Sequence, residues 1–156
     1  MRILYLFVVM VMVSSCGYQL RGSIDVDGPE NVTIISNSHT SISRMLSQKL
    51  SSSVISQNQD YDTYPVVKIN SISSQKRQLS INSSGRVDEY AISKSLDYEI
   101  ITSVNNSVTG TLKASGSYDF NESRMQVTSE QEKITNNAID KVLVRKLIQK
   151  LRYNLK

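Results

Sequence analysis

The side chains able to do covalent or acid–base chemistry are few, and most are poorly grouped for it. Cys16 is the only cysteine, so it has no intramolecular disulfide partner, and one thiolate is too few for a structural zinc site. His39 is the only histidine and sits in a polar stretch. A lone histidine makes neither a metal site nor a nucleophile–base pair. The carboxylates Asp60, Asp62, Asp88, Glu89, Asp97 and Glu99 offer the remaining acid–base candidates. Asp88 and Glu89 are neighbours, so on a strand they point to opposite faces and cannot converge on one atom. Asp97 and Glu99 share a polar face with Ser93 and Ser95 but with no histidine. No G-x-S-x-G, phosphate loop or zinc-ligand spacing occurs. The inventory predicts a protein that is not an enzyme, with no metal and no cofactor.

Cys16 is informative by position. Arg2 opens the chain with a positive charge, and Ile3–Val13 is an apolar run too short to span a bilayer as a helix. Small residues then lead into Cys16. The Val13-Ser14-Ser15-Cys16-Gly17 segment resembles a lipobox, in which a signal peptide, here residues 1–15, is removed and the cysteine is acylated. Such acyl chains hold an exported protein on a membrane. Position 17 is glycine, and the lack of an aspartate there resembles an outer-membrane address facing the periplasm. Residues 16–156 then form one domain of ordinary size. The net charge falls from +4 to +3, because Arg2 is the only charged residue removed. That mild balance speaks against nucleic acid, which needs a dense basic face. The cations are unevenly spread, however, with Lys141, Arg145, Lys146, Lys150, Arg152 and Lys156 crowding the C-terminus.

The elements that must position these residues follow from hydrophobic periodicity. Tyr18, Leu20, Ile24 and Val26 alternate with polar residues, predicting a strand over 18–26, and Val32–Ile35 is a second extended piece. Ile42, Met45, Leu46, Leu50 and Val54 predict an amphipathic helix over 41–55. Residues 66–81 read as a strand whose apolar phase slips between Ile69 and Ile72, which a bulge explains. Asn82–Gly85 is a turn. Tyr90, Ile92, Leu96, Tyr98 and Ile100 alternate in the clearest strand. Asn105-Asn106 reads as a hairpin turn. Leu112, Ala114, Tyr118 and Phe120 mark the next strand, with Gly116 in its gap. Ser129 and Glu132 read as a capping box that opens a final helix over 129–153. The basic end of that helix complements its dipole. The order β-α-β-β-β-α predicts an α+β two-layer sandwich: a mainly antiparallel sheet of about four strands covered by two helices.

The run Cys16-Gly17-Tyr18-Gln19-Leu20-Arg21-Gly22 resembles the mature start of the LptE family of lipopolysaccharide-assembly lipoproteins. The element order, Gly85 followed by Glu89-Tyr90-Ala91-Ile92, and the basic, leucine-rich last helix fit the same family. The resemblance implies a non-enzymatic plug inside an LptD-like outer-membrane β-barrel, which assists assembly of that barrel and binds lipopolysaccharide on its way to the outer leaflet.

Lipopolysaccharide carries phosphates, which suit arginine and lysine. Lys76 and Arg77 precede the Asn82–Gly85 turn, Arg86 follows it, and Arg124 follows the last strand, so these four are the phosphate candidates. Arg21, within the matching heptapeptide, is the candidate contact to the barrel or to an anionic headgroup. A competing reading is a free-standing lipoprotein that binds peptidoglycan or another anionic glycan through its basic loops.

Overall fold

A computed structural model describes residues 32–36, 40–52, 54–55 and 65–155. Cys16, Arg21, His39, Asp60, Asp62, the signal segment and the strand expected over 18–26 lie outside the described residues. Within them the chain forms β1 (Thr33–Ser36), α1 (Ser41–Leu50), β2 (Val54–Ile55), β3 (Val66–Ile81), β4 (Val87–Ser103), β5 (Asn106–Asp119), a 3₁₀ turn (Glu122–Arg124) and α2 (Met125–Asn154). The strands make one sheet in the order β2-β1-β3-β4-β5. β1 runs parallel to both neighbours, while β3, β4 and β5 form an antiparallel meander. The expected α+β architecture is therefore present, with two-residue β2 added at one edge.

Both helices lie on one face of the sheet. Ile34, Ile42, Leu46, Leu96, Ile100, Leu143, Leu147, Ile148 and Leu151 are at most 1% exposed. Each such side chain contributes roughly 1.5–3 kcal/mol relative to exposure, so this layer holds the helices to the sheet.

The register explains the phase slip in β3. Ile69 pairs with Tyr98 but Ser71 pairs with Asp97, leaving Asn70 as the extra residue of a bulge. Before it Val67 and Ile69 face the helices; after it Ile72, Ser74 and Lys76 do, through their pairing with Leu96, Lys94 and Ile92. A second irregularity at Leu79 leaves that residue 44% exposed. Consequently Lys76 faces the helix layer and Arg77 the open face. At the hairpin tip Gly85 has φ +75°, a left-handed conformation that favours glycine. The Asn82 side-chain oxygen accepts from the amides of Ser84 and Arg86 there.

Two expected boundaries shift. α1 ends at Leu50 because Ser51 turns left-handed at φ 49° while its amide closes on the Ser47 carbonyl. Val54 and Ile55 then pair with Ile34 and Ile35 instead of continuing the helix. α2 begins at Met125, so Ser129 is inside the helix and caps nothing. Arg124 at the N-cap position of α2 makes no side-chain cap bond; the cap belongs to the preceding 3₁₀ turn, where Asn121 accepts from the Ser123 amide, and the Thr128 hydroxyl accepts from the Asn121 amide. Gly116 matters for packing, because a Cβ there would lie 3.0 Å from Thr135 Cγ2 of α2.

Candidate functional site at the hairpin end of the sheet

The β3–β4 hairpin and the 3₁₀ turn before α2 carry all four cations singled out as phosphate candidates. Lys76 is held on three sides. Its Nζ donates to Glu132 Oε2 at 2.7 Å and stands 4.6 Å from the Tyr90 ring centre and 5.3 Å from that of Tyr118. Tyr118 donates its hydroxyl to the same Glu132 oxygen at 2.7 Å. The Tyr90 ring lies 6.0 Å from Tyr118 and 5.1 Å, edge-on, from Phe120. These tyrosines are therefore packing residues that also clamp a cation.

The clamp sets the local titration. Partial burial pulls the Lys76 ammonium down, but hydrogen bonds with Glu132 and Tyr118 outweigh it and the net is a rise. Glu132 is lowered, chiefly by the Lys76 bond and then by Tyr118. Tyr118 is raised, first by burial.

Arg86 pairs with Glu122 at 3.2 Å, with both side chains more than half exposed. Such a pair contributes about 0–1 kcal/mol and yields easily to a better anion. Among the described residues neither Arg77 nor Arg124 has a carboxylate partner. All four cations are exposed but differ in their partners: Lys76 has Glu132 and two tyrosine rings, Arg86 has Glu122 alone, and Arg77 and Arg124 have no carboxylate among the described residues. They do not share one face, since Arg77 lies on the open side of the sheet.

That open side is rich in hydroxyls. Ser71 and Thr111 donate to the two carboxylate oxygens of Asp97 at 2.6 and 2.5 Å, tying three strands together and lowering the Asp97 carboxyl through the Ser71 bond first. Ser73 and Ser95 are hydrogen-bonded at 2.7 Å. Asp97 serves a cross-strand network, and the nearby Lys113 cation lowers it further.

One charged group escaped the sequence reading. Lys94 Nζ contacts Asp140 Oδ1 at 2.7 Å, with side-chain exposures of only 13% and 3%, and Ser41 donates to the other oxygen at 2.5 Å. The signal was present: Lys94 lies in phase with Ile92 and Leu96, and Asp140 sits beside Ile139 within the apolar stripe of α2. Among the described residues no group of histidine, cysteine and carboxylate side chains could hold a metal, and no helix is long and apolar enough to cross a membrane.

The sheet-and-two-helix fold is shared with solved bacterial lipoproteins. The rare lipoprotein B of Shewanella oneidensis matches with a TM-score of 0.67 at 12% identity, over 81% of this chain and 96% of that one. An uncharacterized lipoprotein B of Nitrosomonas europaea matches at 0.62 and 18%, over 85% and 88%. A minor lipoprotein of Acinetobacter baumannii matches at 0.60 and 13%, over 80% and 91%. No curated protein matches the chain by sequence. The model of the LptE family, described as lipopolysaccharide-assembly, matches residues 22–155, and the chain belongs to that family.

Proposed function

We propose that this protein is acylated on Cys16, sits at the outer membrane facing the periplasm, and plugs an LptD-like β-barrel through which lipopolysaccharide reaches the outer leaflet. It acts by binding, not catalysis. The observation that carries this reading is the family match across residues 22–155. The geometry supports it in two ways. Large outer-membrane barrels have polar lumens, and the open sheet face offers Ser71, Ser73, Ser95 and Thr111 to such a wall. Exposed Arg77, Arg86 and Arg124 suit the phosphates of lipopolysaccharide, since each charge-assisted bond contributes about 1.5–3 kcal/mol. Arg21 remains the proposed contact from the N-terminal side.

Lipopolysaccharide capture by the purified lipidated protein tests the ligand. A combined Arg77→Glu and Arg124→Glu variant is expected to lose about tenfold or more in affinity with an unchanged circular dichroism spectrum. Wild-type protein that captures no lipopolysaccharide, or a charge-reversed variant that captures it equally well, overturns the assignment.

A further inference from the structure

The last fifteen described residues, 141–155, contain Lys141, Arg145, Lys146, Lys150 and Arg152 and no carboxylate. All five cations are exposed, as are Gln149 and Tyr153, the latter at 78%. At 3.6 residues per turn they fill the side of α2 opposite Leu143, Leu147, Ile148 and Leu151, which form the buried side. Lys146 donates to the Lys113 carbonyl at 2.7 Å. Among the described residues none of the other four has a carboxylate partner. Helix-dipole compensation fades beyond the last turn, so it accounts for Arg152 and leaves Lys141, Arg145, Lys146 and Lys150 unexplained.

A second observation comes from the topology. Thr33, Val66, Ile101 and Ser107 form one row across the sheet, at the end where β1 enters. α2 travels toward that row: Glu132 meets Tyr118, Lys146 meets Lys113, and Tyr153 lines a groove with Leu112. The basic half of α2 therefore points toward the end of the sheet at which β1 begins, the described part of the chain nearest in sequence to Cys16. The groove encloses about 340 Å³ between Leu112, Lys146, Gln149, Lys150 and Tyr153, with an apolar floor flanked by two ammonium groups. Basic groups, an exposed tyrosine and apolar surface together match an anionic lipid headgroup layer.

We infer that the outward face of α2 over 141–153 projects from the periplasmic mouth of the barrel proposed above and lies against anionic phospholipid headgroups of the membrane that holds Cys16. This rests on the acylation proposed above. It makes the anchor a two-part device, acyl chains plus a basic face, and fixes which end of the domain stays at the membrane.

The test uses the full lipidated protein reconstituted into vesicles with a headgroup-level fluorescence quencher. Acylated Cys16 leaves no free thiol, so Gln149→Cys carries the only fluorophore; Ser84→Cys, at the opposite hairpin tip, is the comparison. With phosphatidylglycerol present, quenching at 149 is expected to exceed that at 84, and to fall about twofold or more in phosphatidylcholine alone or in high salt. Adding Arg145→Glu and Lys150→Glu to the 149-labelled chain should have the same effect. Equal quenching at the two positions, or insensitivity to lipid charge, overturns the inference while leaving the anchor intact. Quenching that needs added lipopolysaccharide overturns it in favour of that ligand. Protein that fails to float with the vesicles overturns the anchor reading and this inference with it.

Discussion

Removing the Asp140 carboxylate should destabilise this domain more than any surface charge change. The Lys94–Asp140 contact ties the centre of β4 to the centre of α2, and the Ser41 hydroxyl adds the first turn of α1. An Asp140→Ala variant leaves the Lys94 ammonium in a low-dielectric layer without a counter-charge. Breaking a buried pair in this way costs about 3–5 kcal/mol. Lys94 retains 13% exposure, so some water reaches its head and the lower end applies. A loss of about 3 kcal/mol corresponds to a fall in Tm of roughly 10 °C for a domain of this size. The double variant Lys94→Met plus Asp140→Leu removes both charges and puts apolar side chains in their place. It should recover most of the loss, because apolar replacement of a buried ion pair is often neutral or stabilising. Urea unfolding of the wild type, Lys94→Met, Asp140→Leu and the double variant closes the cycle, with Asp140→Ala measured beside it. If Asp140→Ala costs less than about 1 kcal/mol, or if the double variant is no more stable than Asp140→Ala, the pair is not the buried tie described here.

Three further outcomes are expected. Glu132 is held below its ordinary value of 4.5, so its contribution is present above that value and is lost as pH falls through the lower folded value. A Glu132→Gln variant should therefore show a flatter urea midpoint between neutral pH and pH ~3 than the wild type, which a pH series checks. Gly116→Val should cost about 1–3 kcal/mol by pushing Thr135 and α2 off the sheet, whereas Ser117→Val on the open face should stay within about 0.5 kcal/mol; differential scanning calorimetry separates them. Arg86→Ala removes only an exposed pair with Glu122 and should change stability by less than about 1 kcal/mol in a thermal melt.

Much of the architecture was legible because it is written in local periodicity. The alternation Tyr90-Ile92-Leu96-Tyr98-Ile100 places β4, and the phase slip between Ile69 and Ile72 locates the bulge at Asn70. Features that depend on distant partners were not legible. Two-residue β2 exists only because β1 offers it an edge, so Val54 reads equally well as a helical position. Ser129 and Glu132 have the spacing of a capping box, but Glu132 is occupied by Lys76, 56 residues away, and Asn121 takes over the start of the helix region. Likewise the orientations of Lys76 and Arg77 could be assigned only once the bulge fixed the register. Lys76 is then held by Glu132 and two tyrosine rings, whereas Arg77 and Arg124 have no carboxylate partner among the described residues.

Affinity purification of the tagged, lipidated protein from outer membranes in mild detergent, with mass spectrometry of the eluate, tests the central claim most directly. The account predicts a large outer-membrane β-barrel in near-stoichiometric amount. Recovery of the protein alone from well-preserved outer membranes would contradict it.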